Sequence, residues 1–598
     1  VPSAIPDLKV RGYDVFLSLA SAPSVEREMS EIVKGEPRDE VQLQLTDGRI
    51  YEAPLATPLK DVVTVSDPGA SPPVVAAIVN GRLRELTFPV RHDSEVTWLT
   101  SGTTDGARIY RRSVEFLMLA AVDEVFPGAE VWVEHSATTA AAYYCEVRGR
   151  VPFTQRDLAA IDAKMREIVA ADEPIVRLVT PSEDALVLFA NRGESDKVGL
   201  FTHRVRDDVI LYRLRGRRDY FQGYMVPSAG CLKHFALHAF PTGFMLQFPH
   251  QHSPEELGPI TPYPKLFHVF EERSDLLDRL GFRSVGTLND FIQEGRVRQI
   301  SLVAEAMHEA TIARIAGEIA TARGLIRIVL IAGPSSSGKT TFSKRLWVQL
   351  LANGIRPMPI ALDDYFVDRE KTPRDEKGDY DYETIRALDL DRFNSDLASL
   401  MRGETTTLRR YNFLTGMGEV GHSVTLEQDH VLIVEGIHGL NPALLRDIPK
   451  SQVYRIYASA LTPLNLDRHN RVSSTDVRLL RRIVRDAASR GYTALDTLRR
   501  WDSVVRGEKL NIFPYQENAD AIFNSSLVHE LAVLKPYAEP LLLQVRPFSA
   551  SFIEANRLLS FLQWVKPAPR DVVPDNSILR EFVGGSILEQ LTMWPDRD

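Results

Sequence analysis

Cysteine is nearly missing from this chain: 598 residues hold two, Cys145 and Cys231. So few exclude a disulfide framework and suit a reducing compartment. Any apolar run long enough to span a bilayer is missing too, which argues against a membrane-inserted chain. The N-terminal VPSAIPDLKV has no basic stretch followed by an apolar core, so no secretory signal is expected and the chain reads as cytoplasmic. It also lacks a basic excess. A net charge of -9 disfavours a protein that lives on nucleic acid or anionic lipid. No internal repeat or low-complexity tract stands out. What remains is an ordinary globular composition, 44% hydrophobic and 25% charged, at a length that calls for three or four domains.

The most informative stretch is Gly333-Pro-Ser-Ser-Ser-Gly-Lys339-Thr340, which fits G-x-x-x-x-G-K-[ST]. Its flanks fit as well. Ile326–Ala332 is the unbroken apolar run of a strand buried on both faces. Thr341–Leu351 then carries Phe342, Leu346, Val348 and Leu350 among polar positions, which reads as a helix. Strand, glycine loop and helix in this order turn successive N–H groups inward, at a helix N-terminus that already favours an anion. Gly333, Ser335, Ser336, Ser337, Gly338, Lys339, Thr340 and Thr341 are therefore expected to hold a nucleoside triphosphate. Lys339 would neutralise the β/γ-phosphates and the Thr340 hydroxyl would ligate Mg²⁺.

The half of the chain that contains this loop alternates strand and helix. Strands are expected at Pro359–Leu362, Val431–Ile437, Val453–Ser459 and Ala519–Asn524, which implies a doubly wound parallel sheet with ligands at the strands' carboxyl ends. The first of them ends in Asp363-Asp364-Tyr365-Phe366. A carboxylate there could take a proton from an attacking hydroxyl in phosphoryl transfer, the plainer alternative being an Asx turn or helix cap. Val431–Val434 runs into Glu435-Gly436, a carboxylate to hold Mg²⁺ or its water. Arg478, Arg481, Arg482 and Arg485 share a helix face, either solvated surface or a lid that carries guanidinium groups to a phosphoryl group. No Asn-Lys-x-Asp guanine-reading motif is present, which weakens a GTPase reading.

Together with Tyr380-Asp381, Tyr411-Asn412-Phe413 and TDVRLLRRIVRDAASRG, these motifs make the C-terminal half resemble uridine kinases and the wider group that includes phosphoribulokinase. The resemblance implies an ATP- and Mg²⁺-dependent kinase with Asp363 as general base for a nucleoside 5′-hydroxyl. It implies Asp381 as a ribose or base contact, Tyr411 and Phe413 as lining of a base pocket, and Arg482, Arg485 and Arg490 on phosphates. Three positions depart from the pattern. Gly416 stands where uridine kinases have a base-reading histidine, Tyr492 where an arginine follows the lid, and Arg500 in place of a glutamine. A pocket without its reader discriminates differently, so a kinase of a sugar phosphate or of pantothenate stays open.

In the front half, Val41–Thr100 has the alternation of short strands, with Asp47-Gly48 and Asn80-Gly81 each read as a type I′ hairpin turn. Helical spacing appears at Ser113–Phe126 and Gln155–Val169, and later at Ser274–Leu280, Ser301–Arg323 and Ser551–Val565. Pro254, Pro259, Pro262 and Pro264 exclude regular structure between them and mark a boundary. Val41–Thr100 looks like a TGS domain, a β-grasp module. The segment beyond it, to about Phe240, is similar to the editing region of threonyl-tRNA synthetase, on RRSVEFLMLAAVDEVFPGAEV and DYFQGYMVPSAG.

That similarity puts Arg112 and Phe116 where the editing region has two histidines, and Phe221 and Met225 where it has a cysteine and a histidine. With no imidazole or thiolate left, hydrolysis of mischarged tRNA is excluded, and a binding or regulatory scaffold is expected. Cys231-x-x-His234-x-x-x-His238 has a metal-like spacing without a fourth ligand, so structural histidines are expected. Arg213, Arg215, Arg217 and Arg218 form either a solvated hairpin or an RNA contact.

The expected architecture is multidomain. A TGS-like β-grasp unit with an N-terminal extension (1–102) precedes an editing-like α+β unit (103–250) and a linker with helical connector (251–323). An α/β P-loop kinase (324–540) and a C-terminal helical extension (541–598) follow. ATP and Mg²⁺ are the expected cofactors and a small-molecule nucleoside the expected substrate. RNA binding by the front half, in a regulatory or ribosome-associated role, is the distant alternative that the acidic charge opposes. The oligomeric state stays open.

Overall fold

The computed structural model describes residues 38–591, apart from 68, 138–139, 205, 376–377 and 463. The expected N-terminal extension up to residue 37 and the last residues, 592–598, lie outside the described residues.

In strand Glu40–Leu45 the residues Val41, Leu43 and Leu45 are buried and those between them exposed, as a strand with one wet face requires. It pairs antiparallel with Ile50–Pro54 and parallel with Ser94–Thr100. Val74–Val79 and Arg82–Glu85 complete a five-stranded mixed sheet, and helix Leu59–Ser66 buries Leu59 and Val62 in the same core. This is the β-grasp arrangement. Asn80 and Gly81 have φ of 48° and 73°, as a type I′ turn needs. At Asp47-Gly48 the expected type I′ turn does not form, because only Gly48 is left-handed, with φ of 87°. The Asp47 carboxylate accepts the Arg49 N–H at 3.0 Å, and the loop closes as a three-residue connection ending on that glycine.

Helix Thr104–Val125 follows, capped by the Thr103 hydroxyl, which accepts the Gly106 N–H. It shares one core with helix Gln155–Ala170 and with strands of two antiparallel sheets. One sheet runs Ala236–Phe240, Gly243–Gln247, Ala142–Arg148, Glu130–Ala137; the other runs Arg217–Tyr220, Asp208–Leu214, Val176–Pro181. The prolines at 254, 259 and 262 lie in irregular chain, but Pro264 opens helix Pro264–Arg279. A proline is tolerated there because the first helical N–H has no intrahelical partner, so the helix expected from Ser274 starts earlier. Helix Val297–Thr321 then leads to the second half of the molecule.

There, five parallel strands lie in the order Arg356–Ala361, His430–Glu435, Ile328–Ala332, Val453–Ser459, Ala521–Asn524. Helices such as Lys339–Ala352 and Ser474–Ser489 pack into the core that the sheet shares. The first strand is longer than expected and includes Pro357 and Pro359. Its edge position explains this. The Arg356 N–H donates to Asp429 O, so alternate residues face the neighbouring strand and the two prolines turn their missing donors outward. Strand Ile328–Ala332, buried at every position, sits where the chain order reverses, the place at which an open α/β sheet leaves a crevice. Among the described residues no helix is long and apolar enough to cross a membrane.

Candidate nucleotide site and its surroundings

Gly333 follows strand Ile328–Ala332 directly, and a Cβ there would overlap the Ala458 carbonyl oxygen of the adjacent strand. At the far end of the loop Gly338 has φ of 81°, and Ser336 is left-handed as well, with φ of 58°. Two such residues three and one positions before helix Lys339–Ala352 curl the backbone so that its amides gather at the helix N-terminus. The Ser336 and Ser337 hydroxyls are buried there without a hydrogen-bond partner among the described residues. A glycine cradle with unpaired hydroxyls fits a phosphate group. Lys339 Nζ, 3.2 Å from Pro334 O, lies folded over the loop.

Thr340 Oγ1 donates to Glu435 Oε1 at 2.9 Å. Burial pushes the Glu435 carboxyl up to about 7, against the pull of Lys339 and Thr340; Glu581 and Asp363 add to the rise. A hydroxyl and a carboxylate oxygen form a hard donor pair that fits Mg²⁺. After Glu435 comes Gly436, where a Cβ would lie 2.5 Å from Leu362 Cβ. That glycine lets the turn Leu362–Tyr365, which carries Asp363, close down on the Glu435 strand.

Asp363 borders solvent, yet desolvation on its inner side raises its carboxyl, opposed by Lys339 and Arg490. Its carboxylate makes no hydrogen bond among the described residues, so it is neither an Asx turn nor a cap. The neighbouring Asp364 does the structural work, accepting the Tyr411 N–H at 3.2 Å.

The arginine face of helix Ser474–Ser489 divides in two. Arg478 forks onto Glu508 at 2.5 and 2.8 Å and holds the Ser335 carbonyl; Arg481, fully buried, pairs with Glu530 at 2.6 Å and reaches Ser336 O and Ser525 O. These two shape the loop from behind. Arg482, Arg485 and Arg490 instead share one carboxylate, Asp486, and Arg482 also donates to the Ser335 hydroxyl at 2.9 Å. Three guanidinium groups on one carboxylate leave a positive excess beside the loop.

Asp381 closes a turn, accepting the Glu383 N–H at 3.0 Å. The group that faces the loop from this segment is Glu383, whose carboxyl is pushed up to about 7 by burial and by Glu508, against Arg482 and Lys339. Tyr411 is buried and Phe413 is 59% exposed, their rings 5.1 Å apart and grouped with Phe366 and Tyr382. Gly416 has φ of 74°, and a Cβ there would meet Arg369 Nε at 2.7 Å. Arg369 fills that space and ties the hairpin tip, donating to Phe413 O at 2.7 Å. The other two departures pair with each other, the Arg500 guanidinium lying 4.5 Å over the Tyr492 ring.

Three carboxylates that sequence spacing does not connect to the loop reach it from remote segments. Besides Glu383, the Glu508 carboxylate accepts the Ser335 N–H at 2.9 Å. Glu581, close to the C-terminus, accepts both the N–H and the hydroxyl of Thr341, at 3.3 and 2.8 Å.

In the front half the four replaced editing positions make structural contacts. Arg112 is half-buried and donates to Tyr224 O at 2.7 Å; the Phe116 and Phe221 rings lie 5.2 Å apart; Met225 Sδ accepts from the Ser113 hydroxyl. The loop Asn465–Asn470 of the second half plugs this region. Asn470 Nδ2 donates to Tyr220 O, its Oδ1 accepts the Gln222 N–H, and the His469 ring stacks near Phe221. Arg468 pairs with Asp196 at 2.7 Å, while buried Lys197 pairs with Asp219 and lies 3.9 Å from Asp467. His238 bonds Gln247 at 2.9 Å, and the Cys231, His234 and His238 side chains form no metal-like cluster among the described residues. Arg215 and Arg217 are each tied to acids, Glu124 and Asp123 among them.

Known proteins divide along the same line. Residues 328–532 match the model of the phosphoribulokinase / uridine kinase family. A threonine–tRNA ligase of Acidovorax sp. (strain JS42) is 31% identical over 198 residues, 33% of this chain and 31% of that protein. The chain thus spans about a third of the length of the curated relatives it matches. Among solved structures, a putative fructose transport system kinase from Silicibacter sp. TM1040 is 17% identical with a TM-score of 0.23, over 36% of this chain and 98% of that one. A possible uridine kinase from Bacillus stearothermophilus is also 17% identical, with a TM-score of 0.21, over 33% and 88%. Residues 328–532 are thus the part of this chain that is similar to the phosphoribulokinase / uridine kinase family, behind a front portion similar to threonine–tRNA ligases.

Proposed function

We propose that the protein transfers the γ-phosphoryl group of ATP to a hydroxyl of a small molecule, a nucleoside 5′-hydroxyl being the first candidate. One observation carries the reading: at the carboxyl ends of the parallel strands, Asp363, free of hydrogen bonds among the described residues, faces Lys339 and Arg490 beside the glycine loop and the Thr340–Glu435 pair. In this reading Asp363 accepts the hydroxyl proton as the oxygen attacks phosphorus. Gly333 and Ser335–Gly338 hold the phosphates with Thr341. Lys339, Arg482, Arg485 and Arg490 place fixed positive charge where negative charge develops. Thr340 and Glu435 would hold Mg²⁺, which when bound supplies charge stabilisation at the phosphate oxygens. The division into five units at 102, 250, 323 and 540 belongs to this proposal, supported by the separate sheets.

Tyr411 and Phe413, grouped with Phe366 and Tyr382, support a planar base in the acceptor, with Asp381 near the ribose. Arg369 behind Gly416 favours a second reading, an acceptor with an anionic group such as a sugar phosphate or pantothenate. The test is ADP formation by the full chain with Mg²⁺ against nucleosides, sugar phosphates and pantothenate. Stimulation by one class, abolished in Lys339→Ala, is the expected result. No stimulation by any acceptor overturns the reading in favour of a regulatory ATP-binding protein, whose RNA contacts salt-dependent binding would reveal.

A further inference from the structure

The N-terminal amides of a P-loop helix are the groups that meet nucleotide phosphate, and here one of them is in use. Thr341 gives both its N–H and its hydroxyl to Glu581 Oε2. Glu581 does not arrive by chance of a loose tail. Its neighbours Ile578, Leu579 and Phe582 are buried in the main core. Ile578 presses on the loop, its Cγ2 lying 2.5 Å from where a Cβ on Gly338 would stand, and the Phe582 ring lies under Arg481. Lys344, one turn along the same helix, donates to Leu588 O at 2.9 Å. The backbone from Ile578 to Leu588 is therefore a fixed platform beside the loop, and the half-buried Glu581 side chain is the part that can turn away.

Glu581 also bears on the metal pair, being one of the groups that raise the Glu435 carboxyl. A carboxylate and a phosphate oxygen are alike in charge and in what they accept, so the two cannot share the Thr341 N–H. We propose that Glu581 is an internal stand-in for a nucleotide phosphate, and that nucleotide seats fully only when this carboxylate swings off Thr341. The inference rests on the reading of the loop as a nucleotide site and adds a residue that sets its affinity. When the competent conformer is a minor fraction, apparent affinity falls by that fraction.

The test is the dissociation constant of Mg-ADP and Mg-ATP for the full chain, by calorimetry, in wild type, Glu581→Ala, Glu581→Gln and Lys339→Ala. Losing a hydrogen bond to a charged group changes an equilibrium on the order of tenfold. Glu581→Ala is expected to bind both nucleotides about that much more tightly. Glu581→Gln, which keeps an acceptor but loses the charge, is expected to fall between it and wild type, and it serves alone should the alanine variant not fold. If wild type binds, Lys339→Ala does not, and both Glu581 variants match wild type or bind more weakly, the stand-in is overturned while the nucleotide site survives. If neither wild type nor any Glu581 variant binds nucleotide, the site reading falls and the stand-in with it.

Discussion

Asp363 and Asp364 are adjacent in the chain and differ in everything that decides their use. Asp364 is tied to the Tyr411 N–H, whereas Asp363 is unbonded and balanced between desolvation and two cations. Replacing Asp363 by asparagine keeps the shape and removes the proton acceptor. Turnover should fall by about 10²–10⁴-fold while Mg-ATP affinity is kept. Because the carboxyl is raised, wild-type kcat should decline on the acid side at a higher pH than an ordinary aspartate would set. Retained turnover in Asp363→Asn would remove the base assignment. The choice between the two aspartates was not legible from the pair itself, since Asx turns and catalytic carboxylates look alike without their partners. Gly333, Lys339 and Thr340 were legible, because one short motif carries both their chemistry and their backbone demands. Glu383, Glu508 and Glu581 were not, since each comes to the loop from a distant segment that only the finished fold brings near.

Among the elements, helix Ser474–Ser489 shows how a periodic arginine pattern can hide two different tasks. Its spacing predicted one basic face, and the helix does present one. What spacing could not supply was the burial of Arg478 and Arg481 against Glu508 and Glu530, acids contributed from elsewhere in the chain. Glu530→Gln would leave the Arg481 guanidinium buried without its counter-charge. That change should cost about 3–5 kcal/mol and lower the thermal midpoint, with nucleotide binding weakened because Arg481 also holds Ser336 O. Arg481→Met combined with Glu530→Leu should recover much of the stability but not the binding. A Glu530→Gln protein as stable as wild type would contradict the pairing. The strands read well from the sequence for the converse reason: unbroken runs such as Ile328–Ala332 are buried by the sheet itself. The exception, Arg356–Ala361, was shortened in prediction because its prolines are compatible with an edge and the sequence does not say which strand lies at one.

At the scale of the molecule, the pieces are joined by buried and half-buried carboxylates. Burial alone would raise Asp196, Asp219 and Glu554. Arg468 instead holds Asp196 low, Lys197 and Arg217 hold Asp219 well below the usual range, and Arg557 with Arg108 does so for Glu554. A depressed folded pKa contributes stability that is complete above the ordinary carboxylate range, near 4, and is lost as pH falls through the folded value. Thermal midpoints should accordingly change little on account of these groups from pH 7 to about 5 and drop steeply below about 4. Glu554→Gln should lower the midpoint at pH 7 and flatten the acid drop. An acid profile identical to wild type in that variant would rule out the joint between Arg108 and the C-terminal helix as a contributor.

The plug formed by Asn465–Asn470 also sets an order of events during synthesis. Tyr220 and Asn470, hydrogen-bonded in the finished protein, are separated by 250 residues. At ribosomal rates of about 5–20 residues per second, Asn470 follows Tyr220 by roughly 12–50 s. For that interval the nascent front half has Lys197 and Asp219 in place but neither Asp467 nor Asn470 to close over them. Its last folding step must wait for the Asn465–Asn470 loop, so a ribosome stalled between the two leaves an open, charged seam for a chaperone to cover.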